Sequence, residues 1–357
     1  MNRTRLPHAL ATLYGLAIVY ASLQPFNWVE PPPGTPFFLF STAPARWVRH
    51  DVLLNIIAYL PFGFFVAWLP TRASVAVRIA VATTTGLVLS FALESLQMFI
   101  PQRVASVVDL ASNTFGMFAG AIMGGLLANS RRVRGIIRLL RARWFLDGRL
   151  GDVGLALLTL WVIAQINPAI PLFAVTFDPD PERILTAAAP PESAALLLEA
   201  AESAFQMLGV GLFLALLLRQ RRLVGGAVLV LIGAALLMKG IAAALVIRPA
   251  LWESWQRPGA LMGIAAGALA LLAAVNLPRP AMVAICAIAL LSSIGVPLLT
   301  PDLLWARAPL TFFNWRYGQL LNYNGLTRTI LLVWPVLAAG WLFALSGRPS
   351  WGHPDTG

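Results

Sequence analysis

The chain has 357 residues, of which 59% are hydrophobic and 11% are charged, and its mean hydropathy is +0.76. A soluble domain carries about 25% charged residues because its surface must face water, so this composition excludes a soluble enzyme, a disordered chain and a nucleic-acid-binding protein. The net charge of +11 does not indicate nucleic acid, since in a membrane protein the position of basic residues matters more than their sum.

Apolar segments long enough to cross a bilayer recur along the whole sequence. A hydrocarbon core of about 30 Å takes roughly 20 helical residues. We therefore predict an all-α integral membrane protein with about ten transmembrane helices. In chain order the ten segments are 8–26, 52–70, 75–100, 107–128, 153–173, 195–218, 223–247, 258–276, 280–300 and 327–345.

The arginines predict how these helices are oriented. An N-terminus inside the cell puts Arg3, Arg5, Arg72 and the basic stretch 131–149 on the cytoplasmic side, as positive-inside bias requires. An even number of spans returns the C-terminus to the same side. We predict a multi-pass protein of the bacterial cytoplasmic (inner) membrane with both termini in the cytoplasm.

An internal repeat is visible when the first spans are compared with the fifth to eighth. Asp51 and Asn55 in the second span align with Glu199 and Ser203 in the sixth. Such self-similarity predicts a 4+4+2 organisation. The predicted segments are a four-helix membrane domain (1–128), a basic amphipathic cytoplasmic linker (129–151), a degenerate four-helix repeat (152–276), and two further membrane helices with a short cytoplasmic tail (277–357).

The first copy is rich in polar residues at the outer ends of its spans, and the second copy has lost most of them. Polar groups inside spans are costly and therefore indicate a functional site. Helical spacing of three or four residues places the paired ones on common faces. The predicted ligand-binding residues are Asp51, Asn55, Glu94, Gln97, Arg103, Asp109 and Asn113.

Three other features have structural interpretations. Gly116 and Gly120 form a ridge of small residues that favours close helix packing. Lys239 lies in the seventh span, and we predict that it forms a buried ion pair with Glu202 or, alternatively, with Glu199. The three histidines are too scattered to form a metal site, and we predict neither a metal nor a cofactor.

The polar motif resembles the VanZ-like family of integral membrane proteins, which is known for a member conferring teicoplanin resistance. The resemblance is closest in the first half, over roughly 8–128, with a degenerate echo in 153–276. It implies a cell-envelope protein and supplies no catalytic role. The residues that carry it are Asp51, Asn55, Leu60-Pro61-Phe62-Gly63, Glu94-Ser95-Leu96-Gln97, Arg103, Asp109-Leu110, Asn113-Thr114, Gly116 and Gly120.

Three functions are compatible with these patterns. The leading hypothesis is binding of an amphiphilic ligand at the outer leaflet: a lipid, a lipid-linked cell-wall intermediate or a lipoglycopeptide, with an influence on antibiotic susceptibility. The first alternative is a membrane hydrolase or transferase that uses one of the acids as a general base. The second is a transporter, for which repeats and intramembrane polar groups are typical. Membrane lipids are the expected partners, and the oligomeric state is left open.

Overall fold

The computed structural model of the chain describes residues 5–24, 26–40, 49–69, 72–167, 170–175, 192–246, 257–300 and 318–347. Side chains are described over the same ranges except at 49–51, 242–246 and 318–325.

Eleven α-helices and two short 3₁₀ turns make up the secondary structure of the described ranges, which hold no β-strand beyond one isolated bridge. The predicted all-α fold class is thereby confirmed. The helices are α1 (Leu6–Leu23), α2 (Arg49–Ala67), α3 (Val75–Gln97), α4 (Val107–Asn129), α5 (Arg131–Trp144), α6 (Gly148–Ala164), α7 (Glu192–Leu217), α8 (Val224–Val246), α9 (Pro258–Ala274), α10 (Arg279–Leu299) and α11 (Gly318–Ser346).

Seven helical segments of the described chain are long and apolar enough to cross a membrane, which supports a multi-pass membrane protein. Two more predicted spans form shorter apolar helices, Val52–Ala67 and Pro258–Ala274. The fifth predicted span forms α6, whose first turns carry Arg149 and Asp152. The number of ten transmembrane helices stays a prediction. The seven segments are Leu6–Leu23, Val75–Gln97, Val107–Asn129, Glu192–Leu217, Arg221–Ile241, Arg279–Leu299 and Leu326–Ser346.

Helix α5 differs from the spans because its sequence alternates arginines with large apolar residues. None of its residues is buried, and Ile136, Leu139 and Trp144 are exposed. A helix with one basic and one apolar face is suited to lie in the membrane interface. This is the position predicted for the basic linker.

The first of two compact units comprises residues 1–141 and 314–329. Helix α4 lies at its centre and packs on α2 and α3, while α1 packs on α2 and α3. Two serine N-caps fix the helix starts: Ser74 accepts from the Val77 amide at the start of α3, and Ser106 accepts from the Val108 amide at the start of α4.

The second unit comprises residues 142–313 and 330–357, so the predicted segments 152–276 and 277–357 fall largely within it. Helix α7 lies at its centre, packs on α9 and α10, and contacts α6 and α8. The buried aromatic rings of Trp161, Phe213 and Trp334 pack together there. The internal repeat and the finer segment boundaries stay predictions.

Glycines bring α4 against the backbone of α2. A Cβ atom added at any of three positions in α4 would come closer than 3.0 Å to a carbonyl oxygen of α2, a distance that real Cβ atoms do not reach. The two helices therefore approach as closely as their backbones permit. The three contacts join Gly116 to Ile56, Gly120 to Leu60 and Gly124 to Phe64.

The same arrangement occurs between α9 and α7. Three glycines of α9, again spaced by four residues, lie against three carbonyl oxygens of α7 that are also spaced by four. The contacts join Gly259 to Leu196, Gly263 to Ala200 and Gly267 to Ala204.

Candidate functional site

A small cleft opens in the first unit, where α1, α2, α3 and α4 meet the described side chains of α11. Its volume is about 40 Å³, room for about three water molecules at the 10–15 Å³ that one water requires. Its lining combines aliphatic side chains with a carboxyl, three amides and two hydroxyls. The lining residues are Ile18, Ala21, Ser22, Leu54, Asn55, Ala58, Tyr59, Leu93, Glu94, Gln97, Asn113 and Leu326.

Helical spacing explains why polar groups converge on this cleft. Glu94 and Gln97 are three residues apart in α3, and Ser90 lies one turn before them on the same face. Asn113 lies one turn after Asp109 in α4. The glycine contacts bring α4 so close to α2 that short polar side chains bridge the two helices.

Each of the three cleft amides donates to a protein acceptor. The Asn55 Nδ2 donates to Asp109 Oδ1 at 3.0 Å, and the Gln97 Nε2 donates to the Ser22 carbonyl at 3.0 Å. The Asn113 Nδ2 donates to the Ser90 hydroxyl, also at 3.0 Å. These bonds tie α2 to α4, α3 to α1, and α4 to α3.

The oxygen of the Asn113 amide is the unexplained group of the cleft. Asn113 is 5% exposed, and its Oδ1 is buried without a hydrogen-bond partner. A buried acceptor left unpaired costs about 1–3 kcal/mol, and such groups in folded proteins ordinarily meet an ordered water or a ligand. Asn113 is one of the residues that line the cleft.

Glu94 combines a position in the cleft with a structural contact. It is 4% exposed, and its Oε2 accepts a hydrogen bond from the Ser106 amide at 2.9 Å. Ser106 is the N-cap residue of α4, so the carboxyl holds the end of the α3–α4 loop. The Tyr59 hydroxyl lies next to Glu94 and the side chains of Ser22 and Ser90.

Arg103 has a different role from the one predicted. Its Nη2 donates to the carbonyls of Ala21 at 3.1 Å and Gln24 at 2.7 Å, and its Nε donates to Gln24 at 3.0 Å. The guanidinium thus caps the C-terminal end of α1, where unpaired carbonyls favour a cation. Burial lowers the pKa of Arg103 from its ordinary value, and an arginine stays a cation in any case. It does not line the cleft.

The structure thus separates the predicted binding residues into groups. Asn55, Glu94, Gln97 and Asn113 line the cleft. Asp109 is 7% exposed and does not line the cleft, but it accepts the hydrogen bond from Asn55. Asp51 belongs to the first turn of α2, but its side chain lies outside the described residues.

Sequence reasoning missed Ser22, Tyr59 and Ser90. Tyr59 is four residues after Asn55, and Ser90 is four before Glu94. The i, i+4 rule that identified the other pairs would have found both. Ser22 contributes its backbone carbonyl to Gln97, which no side-chain pattern reveals.

The ion pair predicted for the second unit differs from what the structure shows. Lys239 is fully buried, and its Nζ donates to the carbonyls of Asn167 at 3.0 Å and Ile170 at 2.6 Å. Glu202 instead accepts from the Val175 amide. Both side chains bind backbone in the segment after α6, so they share a neighbourhood without pairing. Glu199, another acid of α7, forms an ion pair with Arg257.

Within the described residues, no group of three or more His, Cys, Asp or Glu side chains is arranged to hold a metal ion.

Comparison with known proteins identifies the region that holds the cleft. Residues 6–128 match the family described as VanZ/LLP1, and this range contains α1 to α4. The predicted resemblance of the first half to the VanZ-like family is thereby confirmed. Searches of curated proteins and of solved structures gave no match.

Proposed function

We propose that this VanZ-like membrane protein binds an amphiphilic ligand at the outer leaflet of the bacterial cytoplasmic membrane. The ligand is a lipid, a lipid-linked cell-wall intermediate or a lipoglycopeptide, and its polar part enters the cleft between α1, α2, α3 and α4. The observation that carries the proposal is the buried, unpartnered oxygen of Asn113, a residue that lines a cleft of about 40 Å³.

The surroundings of the cleft favour a ligand with an apolar part. The outer faces of α3 and α4 expose large apolar side chains, among them Val81, Val88 and Phe115. Such faces are matched to acyl chains. A cleft that holds about three waters takes the end of a headgroup, while the rest of the molecule stays in the bilayer.

Binding is favoured over acid–base catalysis by the way in which Glu94 is held. One of its oxygens accepts from the Ser106 amide, a contact that serves the fold and restrains the carboxyl. A general base must reach its substrate's proton at about 2.6–3.2 Å. The enzyme alternative therefore ranks second, and the transporter alternative stays a prediction.

The test is lipid analysis of protein purified from native membranes. Wild type, Asn113→Leu and Asn276→Leu are compared by mass spectrometry of the co-purified lipids. Asn276 is the matched control, because it is exposed and its amide donates to the Leu272 carbonyl at the C-terminal end of α9. We expect one lipid class to be retained by wild type and control and reduced about tenfold, or ~1.4 kcal/mol of affinity, in Asn113→Leu. Identical lipid profiles in all three proteins would refute the proposal.

A second experiment addresses the envelope role. A deletion strain is complemented with the same three genes, and its susceptibility to lipoglycopeptides and other envelope-active drugs is measured. We expect wild type and Asn276→Leu to restore the parental susceptibility and Asn113→Leu to behave like the deletion. Restoration by all three at equal expression would separate the envelope role from the cleft.

A further inference from the structure

We infer that the cleft selects a primary ammonium group and rejects phosphate. This inference rests on the proposed function and goes further by naming the chemistry of the headgroup. The inference depends on whether the oxygen or the nitrogen of each polar side chain remains available to a ligand.

Each of the three cleft amides directs its nitrogen to a protein acceptor, and we infer that its oxygen is the end that remains for a ligand. The acceptors opposite Asn55 and Gln97 are a carboxylate and a backbone carbonyl. Since neither group can donate, the two NH₂ groups must turn toward them. A planar amide whose nitrogen faces the protein leaves its carbonyl oxygen for the cleft. Asn113 has the same orientation, and its Oδ1 is the buried oxygen without a donor.

The charge of the lining agrees with this orientation. Glu94 is the one ionisable side chain other than Tyr59 among the lining residues, and none of them is Lys, Arg or His. Arg103, one of the binding residues predicted from the sequence, directs its guanidinium to the end of α1. Phosphate sites in proteins use Arg forks, Lys or backbone N–H groups. A phosphate placed here would instead meet oxygens.

An ammonium group satisfies what the cleft leaves open. Its three N–H groups supply the donor that the Asn113 oxygen lacks, and the other amide oxygens and the Glu94 carboxyl complete its shell. An ammonium with its neighbouring methylene is also of a size that a space for about three waters accepts. An ammonium group is found at the end of an aminophospholipid headgroup. It is also the protonated amino group of a peptide carried on a lipid.

Binding to defined lipids tests the inference on the wild-type protein. Full-length protein in detergent is titrated with dihexanoyl phosphatidylethanolamine, phosphatidylcholine and phosphatidylglycerol, and the bound fraction is measured by native mass spectrometry. Phosphatidylcholine has the same charge as phosphatidylethanolamine but no N–H donor, and phosphatidylglycerol is anionic. We expect phosphatidylethanolamine to bind about tenfold tighter than either, a difference of ~1.4 kcal/mol.

Two further ligands show whether the hydrogen-bond donor is a lipid ammonium, a peptide amine or a sugar hydroxyl. An alanyl amide carrying one octyl chain presents a peptide amine, and tighter binding of this probe than of phosphatidylethanolamine would assign the ammonium to a peptide. A monoglucosyl lipid presents hydroxyl donors without charge. If it binds tighter than both amines, the ammonium is the wrong donor.

Variants locate the selectivity in the cleft. We expect Asn113→Leu and Glu94→Gln each to reduce the ethanolamine preference at least about threefold, or ~0.65 kcal/mol, and Asn276→Leu to keep it. Should Asn113→Leu fail to fold, the wild-type comparison still decides the matter. Equal binding of all lipids through an Asn113-dependent site would overturn the ammonium inference and leave the proposed function standing. Absence of binding by every probe would overturn the ammonium inference, while the comparison of co-purified lipids decides the proposed function.

Discussion

The helix pairs α2–α4 and α7–α9 approach each other in the same way and are surrounded by different polar chemistry. Each pair is joined by three glycines spaced by four residues, set against three carbonyl oxygens. Around α2–α4, polar side chains bond from helix to helix and leave a cleft. Around α7–α9, the buried charges of Lys239 and Glu202 bond to backbone outside the helices.

The difference in polar chemistry between the two helix pairs accompanies a difference in the burial of the segment that follows the first helix of each unit. After α1, residues 26–30 are exposed. After α6, residues 170–175 are buried, and Phe173 is fully enclosed beside Trp161. Glu202, which binds Val175, aligns in the predicted repeat with Leu54, a residue lining the cleft. The two units therefore differ in whether the segment after the first helix is buried, and the alignment of the two units stays a prediction.

The largest effect is expected from adding a methyl group at the glycine contacts. Gly120→Ala and Gly263→Ala each force two backbones apart, and overpacking of this kind costs about 1–3 kcal/mol. The control is Gly233→Ala in α8, where nothing lies within 4 Å of the added Cβ. Unfolding titrations in SDS should show similar losses for the first two variants and none for the control. A loss of stability in only one of the two variants would show that the two helix pairs are not packed equivalently.

The second expected effect tests how the second unit is closed. Lys239→Met leaves the buried carbonyls of Asn167 and Ile170 without their donor, at a cost of about 2 kcal/mol. Glu202→Gln keeps an oxygen for the Val175 amide and should cost less. Because the two side chains bind different backbone groups, a double-mutant cycle should give a coupling energy below about 0.5 kcal/mol. Coupling above about 1 kcal/mol would restore the predicted ion pair.

The third expected effect compares two arginines with different partners. Arg103 binds carbonyls at the end of α1, and Arg257 binds the Glu199 carboxylate. Arg103→Ala and Arg257→Ala should each destabilise by about 1.5 kcal/mol. Glu199→Gln should recover part of the loss in Arg257→Ala, because it removes a stranded charge. Glu94→Gln should recover nothing in Arg103→Ala. Rescue by Glu94→Gln would show that Arg103 does pair with Glu94.

How far the sequence predicts this molecule depends on whether side chains or backbone complete each contact. The length of the apolar runs located the ten predicted spans, and each of them overlaps a described helix, although the fifth (153–173) ends nine residues beyond α6. Spacing also placed Asn55, Glu94, Gln97 and Asn113 at one level, where they line the cleft. In contrast, the partners of Arg103 and Lys239 are carbonyls at helix ends and in a loop. Side-chain patterns carry no signal for such acceptors, so an acid was predicted for each.

The smallest effect on stability is expected at Asn55 and Ser203. These two positions are aligned in the predicted repeat and can therefore be compared directly. Asn55 donates to Asp109 across the helix pair, so Asn55→Ala removes a bond between the two helices and should cost about 1 kcal/mol, as interhelical hydrogen bonds in membranes do. The Ser203 hydroxyl is buried without a partner, so Ser203→Ala removes an unsatisfied group and should be neutral or slightly stabilising. SDS unfolding of the two variants measures both. Equal losses would mean that the Ser203 hydroxyl is hydrogen-bonded, to water or to a ligand, and that the second unit is not fully closed. A loss at Asn55 alone would confirm that, of these two aligned positions, only the one in the cleft-bearing unit still carries an interhelical bond.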